Sequence, residues 1–551
     1  MRIRALGLTA LLGLGLLPLA PALAEERPAA GERQSLEELR NTVINLLQAL
    51  VDQGVISREK AEQMVKAAQE KAAADATAQA KEVAAQAKAE EGAVRVPYVP
   101  QIVKDEIAKQ VAEEVKPAVT QDVIREAKTE KWGVPGAMPD WLSRVRLYGD
   151  LVVRQEGLLY PGDNATQFPN YYAINQAGSI VAAGQNAFLD SDETRVRFRG
   201  RARLGVEANL SDSVAVGMRA VTGNTGDLVS ETQTLDGTAP YQFGLDQLYI
   251  RLDERDEDRF PYFTAVAGRF LNPYGTPTNL IFHQDLTFTG VAATVRLGLG
   301  DGDPEDSNLF LTVGGHPLQE IQFSPQDKYL VGGQLGANFL FGESQRLRLT
   351  GAFFDYFNVT GRVNPVGSPG LYNYTAPQFM RWGNTVFDIA NAANPAANLY
   401  AYASKFRLGN ANLTYAVAVG PYQLSWTADG VKNFGYSYQK ILDLTGTPPA
   451  SRVRDLGGQT ELAFGYPQIQ KSGEWRALVG YRYLQGDAVM DEYTDSDFHF
   501  FGGTNARGYY FVIDYGLANR LFLRLKYMSA NEIDGPMFGV DYAQLDLRAS
   551  F

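Results

Sequence analysis

The chain has 551 residues, a formal net charge of −12 at pH 7 and no cysteine. The acidic balance argues against general binding of nucleic acid, and no stretch beyond Glu25 has the roughly 20 consecutive apolar residues of a membrane-spanning helix. The 54 glycines, 28 tyrosines and 28 phenylalanines are instead typical of a large β-structure with aromatic girdles.

Residues 1–24 have the pattern of a secretory signal peptide. Arg2 and Arg4 give it a positive start, residues 6–17 form an apolar core, and residues 22–24 are a small-residue cleavage site. We therefore expect the chain to be exported. The lack of cysteine agrees with a compartment in which free thiols would be oxidised.

Residues 25–140 predict a helical, coiled-coil-like extension that ends in a proline-rich linker. Leucine and valine recur at three- and four-residue spacing over 34–53, which indicates an amphipathic helix. Gly54 ends this helix, and Ser57 can cap a second, more polar one. Because the polar helix cannot cover the apolar stripe of the first, we expect a homo-oligomer, with a trimeric stalk as the favoured arrangement.

Residues 141–551 follow a two-residue period instead. The pattern is clearest over 194–210, where arginine occupies every second position from Arg195 to Arg203 and apolar residues fill the alternate ones. A strand of this sequence places all five guanidinium groups on one face and an apolar row on the other. Five arginines cannot enter a dry core, so we expect the apolar face to meet lipid and the arginine face to meet water inside a closed barrel.

Sixteen such segments can be counted in the sequence. They centre on residues 144–154, 194–210, 213–222, 243–252, 261–270, 289–299, 308–314, 330–341, 346–356, 402–419, 422–432, 453–466, 474–485, 507–516, 519–529 and 540–551. Long and short connections alternate between them, as do the external loops and periplasmic turns of bacterial outer-membrane barrels. The sequence therefore predicts an all-β transmembrane barrel of about 16 antiparallel strands in the outer membrane, in contact with lipid and lipopolysaccharide, with the α-helical N-terminal extension in the periplasm.

The last strand carries a further signal. Residues 545–551 alternate apolar and polar side chains and end on Phe551. A terminal phenylalanine at the end of an alternating strand resembles the signal that the outer-membrane assembly machinery reads. We therefore expect that machinery to be a partner of this strand.

Four groups of segments in this sequence resemble the bacterial family described as putative porins. They are 35–40 with 53–61, 144–154 with 195–205, 230–235 with 245–250, and 268–273 leading to Asp285, Leu286 and Gly290. The resemblance covers the first half of the mature chain, whereas the second half shares the β-pattern and the final phenylalanine. It implies an outer-membrane barrel and leaves the solute unspecified.

Eleven arginines are the candidate pore lining, because the alternation places them on the polar face of their strands. They are Arg144, Arg146, Arg154, Arg195, Arg197, Arg199, Arg201, Arg203, Arg219, Arg251 and Arg269. Charged rings bias which ions pass a channel, and arginine favours carboxylate and phosphate partners. Two interpretations stay open: the arginines act on solutes through their field, or they pair with acidic residues of an infolded loop and hold the barrel in shape.

The connection after the fifth strand is the candidate constriction loop, since barrels of this size often fold a loop inward there. Its polar residues are Asn272, Tyr274, Asn279, His283, Gln284 and Asp285. This set could narrow the pore and oppose the arginine face. The alternative is an ordinary surface loop.

Two acidic clusters and three histidines complete the inventory of reactive side chains. Asp301, Asp303, Glu305 and Asp306 are similar to the start of a calcium loop, but Thr312 stands where the twelfth-position carboxylate belongs, so we expect a solvated periplasmic turn. A second cluster is expected in a solvated external loop; it comprises Asp487, Asp491, Glu492, Asp495 and Asp497. His283, His316 and His499 have no nucleophile motif beside them, so we expect no enzymatic activity, cofactor or metal.

The sequence thus predicts a passive diffusion channel for small hydrophilic solutes. A barrel of this strand number can enclose an aqueous channel, which would select by size and, through its arginines, show a mild anion preference. The alternative is an envelope protein that tethers the outer membrane to peptidoglycan or to a periplasmic partner through the helical extension.

Overall fold

The computed structural model describes residues 144–551. The residues inside this range that it does not describe are 167, 190, 192, 224–226, 230–231, 236, 239, 301–302, 391–396 and 500–501. The predicted signal peptide, helical extension and linker lie outside the described residues and stay predictions.

Sixteen long strands in the described part of the chain form one antiparallel sheet. They are β1 (Val145–Leu159), β2 (Arg195–Asn209), β3 (Val214–Thr222), β4 (Phe243–Glu254), β5 (Phe263–Leu271), β6 (Thr287–Gly298), β7 (Asn308–Gln319), β8 (Lys328–Phe341), β9 (Gln345–Phe357), β10 (Arg407–Val419), β11 (Tyr422–Asn433), β12 (Leu456–Gly465), β13 (Trp475–Leu484), β14 (Ala506–Ala518), β15 (Leu521–Glu532) and β16 (Gly539–Ser550). Strand β1 pairs with β2 on one side and with β16 on the other, so the sheet closes into a barrel. The predicted barrel of about 16 strands is confirmed.

The two-residue alternation places one set of side chains outside and the other inside. On β1, Leu151 and Val153 point outward and are exposed, whereas Arg154 and Glu156 are buried on the interior face. Strand β2 follows the same rule, with outward rows that include Phe198. An outward apolar row beside an inward charged one is the arrangement that a lipid-embedded barrel requires.

Connections at one end of the barrel are short, whereas those at the other end are mostly long, with 320–327 and 533–538 as the short exceptions. The turns 342–344 and 420–421 are typical of the first end, which also holds the start of β1 and the end of β16. The loops 358–406 and 485–505 are typical of the second. This is the predicted alternation, and it places the end of β16 on the short-turn side.

Small elements lie within the long loops. The short strands are Phe168–Pro169 with Phe188–Leu189, Gln233–Thr234 on β2, and Val386–Asp388 with Tyr400–Tyr402. The helices are α1 (Tyr171–Ala177), α2 (Ile180–Ala183) and α3 (Tyr438–Thr445), with 3-10 turns at Gly184–Ala187 and Asn373–Thr375. Over the described ranges, no helix combines the length and the apolar character needed to cross a membrane.

The largest apolar cluster lies inside the barrel. Leu280 and Phe282, at the tip of the 272–286 loop, are fully buried beside Phe354 of the wall. Residues of the 485–505 loop join the same cluster. Burying one large apolar side chain contributes about 1.5–3 kcal/mol, so both loops are held in the interior by packing.

Candidate functional site

The 272–286 loop enters the barrel and contacts β8 and β11 of the wall and, at its end, β2, which lies seven strands away from β11 around the barrel. Near its start, the backbone N–H of Gly275 donates to Gln334 Oε1 of β8 at 2.7 Å. Further along, the hydroxyl of Thr278 donates to Asp429 Oδ2 of β11, also at 2.7 Å. The loop therefore spans the lumen instead of lying on the surface.

The end of the loop is fixed by charge. The backbone N–H of His283 donates to the carbonyl of Tyr493 at 2.8 Å, which joins the two inward loops. Asp285 forms ion pairs of 2.9 Å with both Arg201 and Arg203 of β2. Burial alone would raise the pKa of Asp285, but Arg201, His283 and Arg203 together hold it well below its usual range. Asp285 is therefore a fixed negative charge against the arginine row.

The other predicted loop residues divide between two sides. Asn279 accepts a hydrogen bond of 2.9 Å from the backbone of Gln284, and both residues line a cavity of about 60 Å³ beside the arginines, which we call the narrow cavity. Tyr274 lies on the other side, with its hydroxyl 3.1 Å from His316 Nε2 of β7. Asn272 bonds within the loop at 3.0 Å. The predicted set is thus brought into the barrel but not to one point.

The arginine row of β2 belongs to a network of ion pairs. Its pairs with β1 are Arg197–Glu156, Arg199–Glu156 (3.7 Å), Arg201–Asp150 (2.9 Å) and Arg203–Asp150 (2.5 Å). The cross-strand register explains these contacts, because Asp150 lies opposite Arg203 and Glu156 opposite Arg197. Arg201 and Arg203 thus pair both with β1 and with Asp285 of the inward loop, whereas Arg197 and Arg199 pair with β1. The effect of these arginines on solutes stays a prediction.

The remaining predicted arginines are placed less uniformly. Their ion pairs are Arg146–Glu207 (3.3 Å), Arg154–Asp546 (2.7 Å), Arg154–Asp497 (3.1 Å), Arg219–Asp246 and Arg251–Glu207 (3.0 Å). Arg269 donates to the carbonyl of Asp246 at 3.1 Å and to Thr287 at 3.0 Å. Arg144 and Arg195 form no ion pair with a carboxylate of the described residues. Arg144 lies just before β1 and Arg195 at the start of β2, and because these strands are antiparallel the two residues lie at opposite ends of the barrel.

The prediction that the second acidic cluster is solvated is wrong. The 485–505 loop turns into the lumen, where Asp487 pairs with Arg454 at 3.3 Å and Asp495 with Arg482 at 3.1 Å. Both carboxylates are buried. Five acidic residues in eleven positions suggest solvation when read locally, but their partners come from distant segments that the local sequence does not reveal.

Burial and partners set the ionisation of this cluster. Burial alone would raise the pKa of Asp497, but Arg154 and Lys526 hold it well below the usual range. Asp491 accepts a hydrogen bond of 2.5 Å from the hydroxyl of Tyr402, yet burial dominates and raises its pKa to about 6. Burial and the adjacent Asp491 also raise the pKa of Glu492. The loop thus carries ionised carboxylates beside ones that burial drives toward the neutral form.

The first acidic cluster lies in the turn between β6 and β7. Asp303 caps the backbone of Glu305 at 2.8 Å, and Asp306 pairs with Arg346 at 2.9 Å. Asp301 lies outside the described residues. Among the residues that the structure describes, no group of three or more acidic or histidine side chains is arranged to hold a metal ion.

Sequence reasoning missed several interior cations, of which Lys526, Arg296 and Arg348 bear on the proposals below. Lys526 of β15 lines the narrow cavity together with Arg154, Arg201 and Asp497, and it forms no ion pair with a described carboxylate. Arg296 of β6 and Arg348 of β9 lie elsewhere on the interior face. All three occupy polar positions of alternating strands, so the same two-residue pattern that marked the arginines of β2 could have identified them.

A closed barrel with outward apolar rows, an interior lined by charge and inward loops defines an integral outer-membrane β-barrel of the channel type. The family described as Putative porin matches residues 40–551 of the chain. The chain therefore belongs to this family and is an outer-membrane channel protein.

Several solved outer-membrane barrels are similar in fold. OprB of Pseudomonas putida is 11% identical with a TM-score of 0.41, over 75% of this chain and 96% of that one. The trimer form of OmpT of Vibrio cholerae is 9% identical with a TM-score of 0.38, over 74% and 99%. The outer membrane channel DcaP of Acinetobacter baumannii is 11% identical with a TM-score of 0.37, over 74% and 97%. No curated protein sequence matches the chain.

Proposed function

We propose that the chain is a passive diffusion channel for small hydrophilic solutes with a mild preference for anions. The observation that carries the proposal is the cationic surface of the narrow cavity. Arg154, Arg201 and Arg548 line it together with Lys526, which forms no ion pair with a carboxylate of the described strands and loops. Such a surface attracts an anion and leaves neutral solutes to be selected by size.

The preference is mild because most interior arginines have acidic partners. An ion pair presents a dipole rather than a bare charge, so its field falls off faster with distance. Fields of exposed charges are screened beyond about 8–10 Å at physiological salt. The net charge of the chain therefore has little influence on selectivity, and the nearest cation that forms no close ion pair has the most.

Ion selectivity tests this proposal through Lys526. In planar bilayers with a salt gradient, the wild-type channel should show a zero-current potential on the anion-selective side that fades as salt rises. Lys526→Glu should move this potential toward cations and change the permeability ratio by about twofold or more. The matched control is Lys471→Glu, which makes the same charge change in an exposed turn outside the lumen.

Two outcomes would overturn the assignment. A purified, folded barrel that conducts no ions would contradict the channel function. A conducting channel whose potential is the same in wild type, Lys526→Glu and Lys471→Glu would remove the narrow cavity from the permeation path.

For the parts of the chain outside the described residues, the proposal rests on the sequence alone. We infer that residues 1–24 are removed on export and that 25–140 extend into the periplasm and favour a homo-oligomer. The last strand, ending on Phe551, would be read by the outer-membrane assembly machinery. The tether function stays the alternative for the extension.

A further inference from the structure

A second interior cavity lies on the short-turn side of the 272–286 loop. It has a volume of about 340 Å³ and is formed by the periplasmic ends of β6 to β9, so we call it the periplasmic cavity. Its polar lining consists chiefly of Arg296, Arg348, Asn308 and Asn338, all at interior positions of their strands. The loop itself closes the cavity on the side of the narrow cavity.

Neither guanidinium group of this cavity forms an ion pair with a carboxylate of the described residues. Arg348 lies over the ring of Phe310 at 5.1 Å and forms no ion pair or hydrogen bond with a described residue. Arg296 donates only to neutral oxygens, at 3.1 Å to the carbonyl of Pro261 and at 2.9 Å to Thr264 Oγ1. Thr264 in turn donates to Asp253, whose negative charge acts on Arg296. The two guanidinium groups still repel each other across the cavity, and an anion between them would reduce that repulsion.

The loop shapes the position of Arg348. Gly275 lies so close that an added Cβ would come 2.0 Å from Arg348 Nη2. Two hydrogen bonds hold this part of the loop on Gln334. The Gly275 N–H donates to Gln334 Oε1 at 2.7 Å, and Gln334 Nε2 donates to the Gly275 carbonyl at 3.4 Å. The absence of a side chain at this position leaves room for the guanidinium group under the loop.

The remaining lining restricts what can bind. Phe260, Pro261 and Pro273 contribute apolar surface to the lining, with Pro261 next to Arg296. Glu305 also lines the cavity, so its described titratable groups carry two positive charges and one negative. This balance suits an anion of low charge with an apolar body. The planar donor fork of arginine matches the oxygens of carboxylate and phosphate.

We propose that the periplasmic cavity binds a small organic anion, with its carboxylate or phosphate group between Arg296 and Arg348 and its apolar body against Phe260 and Pro261. This site deepens the proposed channel function and rests on it for how the anion reaches the lumen. The anion-binding site lies on the periplasmic side of the loop, away from the arginine row of β2.

Binding can be measured without a membrane. The full-length protein in detergent should broaden the ¹H signals of acetate and benzoate or the ³¹P signals of inorganic and phenyl phosphate. Benzoate should bind more tightly than acetate, and phenyl phosphate more tightly than inorganic phosphate, because of the apolar surface of the lining. Whether the carboxylate probes or the phosphate probes bind identifies the head group. Equal binding of the apolar and the bare anions, or no broadening of any probe, would overturn the proposal.

Variants assign the binding to this cavity. Arg348→Gln and Arg296→Gln should each weaken binding tenfold or more, and Glu305→Gln should strengthen it. The matched control is Arg346→Gln, which removes an arginine from the same strand that is paired with Asp306 and lies outside the cavity lining. It should change binding by less than twofold.

The outcomes separate this inference from the channel function. Equal binding by wild type, Arg348→Gln and Arg296→Gln would overturn the site even in a protein that conducts ions. A protein that binds the anion but conducts nothing would contradict the channel function and retain the site. Heat-modifiable migration of each variant on gels checks that the barrel is folded.

Discussion

Asp491 and Glu492 are adjacent residues in a loop that packs inside the barrel, and burial raises the pKa of both. Asp495 and Asp497 lie only a few residues further and differ in their partners, because Arg482 and Arg154 hold their pKa values low. Asp487 shows the limit of such pairing, because burial raises its pKa even beside Arg454. At single residues, then, the balance between burial and the nearest guanidinium group decides which carboxylate stays charged.

The raised pKa of Asp491 makes the packing of its loop sensitive to pH. Because the packed loop holds this proton more tightly than the unfolded chain, its contribution is complete below the ordinary pKa of 3.8 and is lost as pH rises through about 6. A shift of this size corresponds to about 3 kcal/mol. Glu492 acts in the same direction. The pKa values of Asp495 and Asp497 are lowered, so their contribution to loop stability is lost only when they are protonated in more acidic solution.

We expect limited proteolysis of 485–499, and its hydrogen exchange after division by the intrinsic amide rate at each pH, to accelerate between pH 5 and pH 8. The double variant Asp491→Asn with Glu492→Gln should flatten this dependence, since neither side chain can ionise. Glu343→Gln, in an exposed turn at the other end of the barrel, should leave it unchanged. If the wild-type loop shows the same proteolysis rate and the same corrected exchange rate at both pH values, these carboxylates do not control its packing.

At the scale of elements, the 272–286 loop is held at its tip by apolar packing and at its end by charge. Leu280, Ile281 and Phe282 are almost completely buried in the lumen. Large-to-small substitution of such residues costs about 2–5 kcal/mol each. The tip therefore holds the loop across the lumen more strongly than single hydrogen bonds could.

Removing this packing should open the channel. We expect the triple variant Leu280→Ser, Ile281→Gly, Phe282→Ser to conduct at least twice the single-channel current of the wild type and to unfold at lower temperature. Val366→Ser with Leu371→Ser, which changes exposed apolar residues in another loop, should alter neither property. If the triple variant unfolds earlier but conducts like the wild type, the loop packs in the lumen without limiting the current.

Strands were predictable from the sequence because lipid and water impose a two-residue period along each of them. The segment 213–222 differs by one residue from Val214–Thr222, and 308–314 stops before the observed end at Gln319. The course of the 485–505 loop was not predictable, since its carboxylates meet partners such as Arg154, which lies 343 residues away from Asp497. Pairing between residues so far apart in the chain produces no periodic pattern in the local sequence.

For the whole molecule, we expect the end of the barrel that carries the long loops to face the cell exterior. The chain contains no cysteine, so each introduced cysteine is the only reactive thiol. Val181 and Val366 lie in long loops and are 79% and 82% exposed. Glu343 lies in a short turn at the opposite end and is also exposed. These three positions report the orientation directly.

On intact cells, a maleimide attached to a polymer too large for the lumen should label Val181→Cys and Val366→Cys. It should label Glu343→Cys only after the outer membrane is permeabilised, because that turn faces the periplasm. Thr494→Cys adds a second test: it belongs to a long loop, yet Thr494 is fully buried inside the barrel. It should therefore resist the reagent on intact and on permeabilised cells and react after denaturation. Labelling of Glu343→Cys but not Val366→Cys on intact cells would reverse the topology, whereas rapid labelling of Thr494→Cys would place the 485–505 loop outside the lumen.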